Sequence, residues 1–370
     1  MIQPGADKRF MAAAIALGRR GLGLSAPNPA VGALVVKDDI ILARGWTKPG
    51  GRPHAETEAL RAAGEAARGA TLYVTLEPCS HHGVTPPCTD AIIAAKIARV
   101  VYAVDDPDPR VGGEGDQILT AAGVKVTKGL LAEEALRANL GHMLRVSGQR
   151  PMVTLKLALT ADLHAAGSLH DPRLVITGAP ANGYVHIQRS MHDAIMVGIE
   201  TILADDSLLT VRLPGLEARR PLRVVLDSDL RLPLGSRLVA TAKTHPTLVI
   251  AGEGASEEAA HRLRAEKLEV AMAPRDGAGR VDLRAALEAL ATRGLTRVFS
   301  EGGPRIAAAL IGQGLADDVM ILTSAKPLGR EGVLGLAPPS AAALADPDRY
   351  HCVETRAIGA DRLTRYERAI

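Results

Sequence analysis

The chain has 370 residues, a length that suggests two domains rather than one. Apolar residues make up 47% but Phe, Trp and Tyr together only 2%, so the cores must be built from Ala, Leu, Val and Ile, and stacking platforms for single-stranded nucleic acid are scarce. A formal net charge of +3 is too small to imply a nucleic-acid or membrane partner, and no stretch reaches the ~18–20 apolar residues that span a bilayer.

Near the start, Phe10, Ala14 and Leu17 recur at helical spacing, as do Met11 and Ile15, and Arg19-Arg20 follow. An amphipathic helix is expected near 7–19 rather than a short export signal. A turn follows at Ala26-Pro27-Asn28-Pro29. Val31 to Val36 and Ile40 to Ala43 read as a hairpin turning at Lys37-Asp38-Asp39. Helix 55–67, strand Thr71 to Leu76, helix 88–97 and strand Val100 to Val104 come next, an α/β layered pattern. Asp105 to Gly115 reads as a loop, and a further helix, a strand and helix 132–140 complete this part. Ser147 to Pro151 looks like a linker between domains 1–147 and 151–370. The second part opens with the strand-like run Met152 to Leu159. Apolar strands at 193–198, 222–226, 247–251 and 295–300 again predict α/β, with a largely parallel sheet.

Three cysteines and no export signal do not make a disulfide framework, and a reducing cytoplasm is expected. Two of them belong to a chemical pattern. His54-Ala55-Glu56 opens the predicted helix 55–67. Glu77-Pro78-Cys79 ends a strand, and Cys88 follows eight intervening residues later. One imidazole and two thiolates make a zinc site with an open fourth position, the catalytic arrangement. Cys88 begins a helix, where free N–H groups and the helix dipole favour a thiolate. Zinc would make a water available as hydroxide near neutral pH. Glu56, two residues beyond His54, is placed to carry the proton from water to a leaving amine. His-x-Glu followed by Pro-Cys is the signature of zinc base deaminases, whose cysteines are usually separated by two residues rather than eight. A structural zinc site, or an inert histidine and thiols, are the alternatives.

The longer spacing carries a resemblance. Leu76 to Gly83 with Thr85 to Cys88, Pro27 to Gly32, Pro53 to Glu56, and Asp106 to Val111 with Gly113 and Gly115 closely resemble the deaminase domain of the RibD family of bifunctional riboflavin-biosynthesis proteins. The resemblance implies a cytidine-deaminase-like three-layer domain in which His54, Cys79 and Cys88 bind Zn2+, Glu56 shuttles protons, and Asn28 and His81 contact substrate. The implied substrate is a diaminopyrimidinone carrying a phosphoribosylamino group. An amide such as Asn28 can both donate to and accept from a heterocycle edge; a plain turn residue is the alternative. Where the family usually has Lys or Arg between Gly83 and Thr85, this chain has Val84, leaving His81, His82 or Arg52 as candidates for the phosphate. Glu58 stands where a histidine is frequent.

In the second part, Ser300-Glu301-Gly302-Gly303-Pro304 follows a strand and opens a helix. Glycines there let backbone approach a phosphate, but G-x-G-x-x-G is absent, so no standard Rossmann site is expected. This stretch, with Leu155 to Ala158, Ile176-Thr177-Gly178, Val197 to Asp206 and Leu209 to Arg212, is similar to the family's dihydrofolate-reductase-like domain, which reduces a ribose to a ribityl chain with NADPH. That resemblance implies a polar cluster of Lys156, Asp205 and Glu301 around the sugar. It implies Arg189, Leu209 and Arg212 on the substrate, with both arginines on its phosphate. Ala158, Thr177, Thr201, Asp205, Gly302 and Gly303 would then lie on NADPH. The run Thr160 to His164, Val175 and Ala181-Asn182 depart from the usual pattern. A C-terminal domain that has lost reduction is therefore the alternative. The family also implies a homo-oligomer. Cys352 has no assigned role and is expected to be a buried small hydrophobe.

Overall fold

The computed structural model describes residues 4–83, 85–109, 113–168, 171 and 174–369. Val84, Arg110 and Val111 therefore lie outside the described residues. The chain divides into two units, Met1–Arg150 and Pro151–Ile370.

In the first unit, strands β1 (Gly32–Lys37), β2 (Ile40–Trp46), β3 (Thr71–Val74), β4 (Arg99–Tyr102) and β5 (Lys125–Lys128) form a sheet in the order β2-β1-β3-β4-β5. β1 is antiparallel to both neighbours, while β3, β4 and β5 run parallel. The two-residue period of a strand divides its apolar side chains between two faces. Ala33, Val35, Leu72 and Val74 pack on one face with Ala55, Ala59, Leu60 and Ile92. Leu34, Val36, Tyr73 and Val101 pack on the other with Phe10, Met11, Ala14 and Ala135. The result is helices on both faces of one sheet, three layers as expected.

With so few aromatics, the layers meet through small residues. A Cβ added at Gly32 would lie 2.0 Å from the Ala14 carbonyl oxygen, and one at Gly45 would lie 2.1 Å from that of Ala55. Helices Pro4–Gly18 and Ala55–Ala63 therefore rest directly on the sheet backbone. The predicted helix 55–67 is shorter than expected. It ends at Ala63, because Gly64 turns to φ +53° and a 3₁₀ turn, Gly64–Ala67, follows. The predicted helix 88–97 likewise stops at Ala94.

The second unit continues with β6 (Met152–Leu159), β7 (His164–Ala166), β8 (Ala194–Gly198), β9 (Leu222–Leu226), β10 (Thr247–Gly252), β11 (Glu269–Ala273), β12 (Arg297–Ser300), β13 (Asp318–Thr323), β14 (Val333–Leu334), β15 (Tyr350–Ile358) and β16 (Asp361–Arg368). Its main sheet has the order β11-β10-β9-β8-β12-β6-β13-β16-β15, with β7 and β14 paired separately. Every neighbour pair from β11 to β13 is parallel. The hairpin β15–β16 is antiparallel and was not anticipated. β15 exposes most of its residues, so it lacks the apolar run that betrays a buried strand. Cys352 lies on this edge strand and is exposed, which corrects the expectation of burial. Arg365 and Arg368 on β16 pair with the buried Asp318 and Asp317 and hold the hairpin to the sheet. Among the described residues no helix is long and apolar enough to cross a membrane.

Gly45 offers a direct test of the layer contact. Gly45→Ala should overpack the sheet against the helix that bears Glu56, costing about 3 kcal/mol. The change is expected as a lower urea midpoint with an unaltered m-value; an unchanged midpoint would show that the helix can retreat without cost.

Candidate active sites

In the first unit, the chain just past β3 and the starts of the helices on either side of it in sequence gather the predicted zinc ligands. His54 immediately precedes helix Ala55–Ala63, and Cys88 opens helix Cys88–Ala94. His54 Nδ1 lies 3.3 Å from Cys88 Sγ and 3.6 Å from Cys79 Sγ. The Cys88 backbone N–H donates to Cys79 Sγ at 3.4 Å. The three side chains offer one ligand atom each, all within 4.8 Å of one another. Bonds of 2.0–2.3 Å to nitrogen and sulfur imply tetrahedral edges of roughly 3.5 Å, so this donor set fits zinc in spacing and chemistry. The hydrogen bond to Cys79 raises the imidazole's pKa, and the Cys88 contact lowers that of the Cys79 thiol, whereas Cys88 itself is pushed up.

Glu56 is buried beside this cluster, and burial raises its carboxyl pKa. Asn28 donates from Nδ2 to the Gly51 carbonyl at 2.9 Å, and the same nitrogen lies 3.3 Å from His54 Nε2. It thus flanks the imidazole edge that faces away from the sulfurs. A Cβ on Gly51, whose φ is +83°, would strike Asn28 at 2.7 Å, so glycine is what lets the amide sit there.

Glu77 was read only as part of the cysteine motif. It is buried, and its Oε2 accepts the N–H groups of Gly113 at 3.2 Å and Asp106 at 3.4 Å. Asp106 also meets His142 Nε2 at 3.1 Å. These bonds fasten the loop after β4 to the strand end that carries Cys79. No sequence signal separated this anchoring carboxylate from a catalytic one.

In the second unit a cavity of about 630 Å³ opens beside the ends of β6, β8 and β12. Lys156, Ala158, Thr177, Thr201, Asp205, Glu301, Gly302 and Gly303 all line it. Arg189, Leu209 and Arg212 do not. Arg189 Nε and Nη2 donate to the two Glu301 oxygens at 2.5 and 2.9 Å, and Nη1 donates to the Thr210 carbonyl at 2.8 Å. In this arrangement Arg189 directs these donors to a largely covered carboxylate and a backbone carbonyl. Burial alone would raise the Glu301 carboxyl, but Arg189 more than offsets it and the net shift is downward. Leu209 is buried at φ +50°. Arg212 is exposed, and its backbone N–H donates to His186 Nδ1 at 3.2 Å. Burial, with Arg189 and Arg212 nearby, brings the His186 pKa down to about 4. His186 belongs to no sequence motif, and only the fold brings it to Arg212.

Of the departures, Val175 and Asn182 line the cavity and Val175 is 83% exposed there, whereas Thr160 to His164 do not line it. A second cavity of about 520 Å³ shares Glu200, Thr201, Gly303 and Pro304 with the first and adds Ser228, Arg231, Arg280 and Arg305. These come from the loop after β9, the turn before Val281 and the start of helix Pro304–Gly312, so no local pattern announced them.

Residues 4–104 match the family of the cytidine and deoxycytidylate deaminase zinc-binding region, and residues 151–363 match the RibD C-terminal domain. The riboflavin biosynthesis protein RibD of Escherichia coli is 37% identical over 368 residues, 96% of this chain and 97% of that protein. A structure of Acinetobacter baumannii RibD is 32% identical with a TM-score of 0.85, and the match covers 100% of both chains. The structure of a diaminohydroxyphosphoribosylaminopyrimidine deaminase/5-amino-6-(5-phosphoribosylamino)uracil reductase from Thermotoga maritima is 33% identical with a TM-score of 0.83 and covers 99% of both chains. With a deaminase-like unit bearing a His/Cys metal site and a reductase-like unit bearing its own cavity, this chain belongs to the RibD family of bifunctional riboflavin-biosynthesis enzymes, a deaminase joined to a reductase.

Proposed function

We propose that the first unit hydrolytically deaminates 2,5-diamino-6-(5-phosphoribosylamino)pyrimidin-4(3H)-one and that the second reduces the ribosyl group of the product to a ribityl chain with NADPH. The observation that carries the first half is the convergence of His54, Cys79 and Cys88 with Glu56 buried beside them. Zinc held by the three would supply the Lewis acidity that brings a water toward neutral pKa. The chain's own residues then manage protons and orientation. Glu56 takes the proton from the attacking water as its oxygen adds to the amine-bearing ring carbon. It returns that proton to the amine, the C–N bond breaks and ammonia leaves. A carboxyl raised by burial suits a group that must hold the proton between the two events. Asn28 and His81 orient the heterocycle and its substituent.

In the second unit NADPH supplies the hydride, and the protein's task is alignment. Thr201, Asp205, Ala158, Thr177 and the Gly302-Gly303 turn hold the cofactor in the larger cavity. Lys156, Asp205 and Glu301 face the sugar, and Arg212 with Leu209 receives the substrate. Arg189, which fixes the Glu301 carboxylate, also lies on the phosphate side of the substrate.

Glu56→Gln should keep zinc, read as metal content, while ammonia release falls by about 10²–10⁴-fold. Supplied with the deaminated compound, the same variant should still consume NADPH. Deamination surviving in the zinc-replete variant would remove Glu56 from the mechanism.

Glu301→Gln leaves the buried Arg189 charge uncompensated and should cost about 3–5 kcal/mol at pH 7. Because the folded-state pKa of Glu301 lies below its unfolded value, the pair's contribution is full above the ordinary carboxylate range and is lost as pH falls through the folded pKa. The stability gap between wild type and variant, measured by denaturant titration, should therefore shrink below about pH 4.5. A gap independent of pH would argue against the ion pair as its cause.

A further inference from the structure

The loop from Cys79 to Cys88 contains no Lys or Arg, so it brings no permanent positive charge of its own to the mouth of the deaminase site. The structure supplies one from another segment. Arg52, two residues before His54 and half-buried, donates from Nη1 to the Thr85 hydroxyl across this loop. Its Nη2 lies 3.3 Å from where a Cβ on Gly83 would sit, and His81 Nε2 lies 3.8 Å from the same point. His81 Nδ1 is buried without a hydrogen-bond partner among the described residues. An arginine fork and an imidazole thus flank a glycine that has no side chain to fill the space between them. We propose that Arg52, with His81 opposite, binds the 5′-phosphate of the deaminase substrate.

The assignment rests on the functional reading above and adds to it the residues that select a phosphorylated substrate. A guanidinium presents five donors in a planar fork that matches phosphate oxygens. Thr85 engages one nitrogen and fixes the plane of the fork, and among the described residues no hydrogen bond is made by its other nitrogens, which are left for the anion. Gly83 is exposed and adds no side chain of its own between the two groups. Arg52 and His54 share one short segment, which ties the distance between phosphate site and metal ligands to the backbone itself.

The test compares ammonia release, without NADPH, from the diaminopyrimidinone ribosyl phosphate and from its dephosphorylated ribosyl counterpart. Wild type should prefer the phosphorylated compound in kcat/KM. Arg52→Ala should reduce that preference by at least tenfold, mainly through KM, and Arg52→Lys should restore part of it. In a Glu56→Gln background, slow enough in turnover for binding to be read directly, the affinity for the phosphorylated compound should weaken in step. If wild type shows the preference and Arg52→Ala keeps it, Arg52 is only a strap to Thr85 and the assignment is overturned. If wild type releases ammonia from neither compound, the deaminase reading itself fails and takes the assignment with it.

Discussion

Parallel strands all point one way, and that constraint sets both sites. Chain leaving one end of such a sheet must turn into a loop or helix, so the residues just past neighbouring strands converge. In the first unit Cys79 follows β3 and Asp106 follows β4, and Glu77 ties the two exits together. In the second, Thr201 follows β8 and Glu301 follows β12, beside Lys156 on β6. Neither site needs long-range design beyond strand order. The chemistry differs because one set of exits carries thiols and an imidazole and the other carries charges and glycines.

Such convergence gathers polar groups in places with little water, and the structure compensates each one. Arg223 is fully buried, yet its guanidinium donates to the carbonyls of Leu208, Leu238 and His245 and to the hydroxyls of Thr241 and Thr247. Burial still lowers its pKa, to about 10, but leaves it charged at neutral pH. Its bond to Leu208 fixes the start of the segment that carries Leu209 and Arg212. Arg189 and His186, one helical turn apart, hold the same segment through Thr210 and Arg212. The segment 208–212 is thus held by three bonds between its backbone and a cation or an imidazole. This is a stiffer frame than the exposed position of Arg212 suggests.

What the sequence disclosed follows from where the information lies. The metal-ligand cluster was legible because metal ligation demands particular residue types at short spacings, and His54, Cys79 and Cys88 do meet. The α/β layering was legible because strand-like and helix-like segments follow one another along the chain, and the three-layer arrangement came from the family resemblance. The β15–β16 hairpin was not, since an exposed antiparallel edge has little apolar pattern. Glu77, His186 and the second reductase cavity were hidden for a different reason. Their partners are distant in sequence, and only folding brings Glu77 to Gly113 or His186 to Arg212. Arg189 was placed by its resemblance to the family, and its pairing with Glu301, 112 residues away in sequence, is a partnership that one dimension does not display.

The departures from the family pattern in the second unit carry unequal weight once placed. The turn Thr160 to His164 does not line the cavity. Asp162 there accepts from the Thr160 hydroxyl at 2.6 Å and from the N–H groups of Leu328 and Gly329 at 2.8 and 3.0 Å. These bonds lower its carboxyl pKa and keep it ionised. Its residues are committed to holding a neighbouring loop, so changes there act on the site only through backbone position. Val175 is different, a small aliphatic side chain standing exposed on the cavity wall. A larger aromatic ring at that point would cover more of a flat ligand than valine can, and covered apolar area is worth roughly 25 cal/mol per Å². The cost of the departure therefore falls on how tightly a planar group is held, not on Lys156, Asp205 and Glu301, which still gather at one cavity.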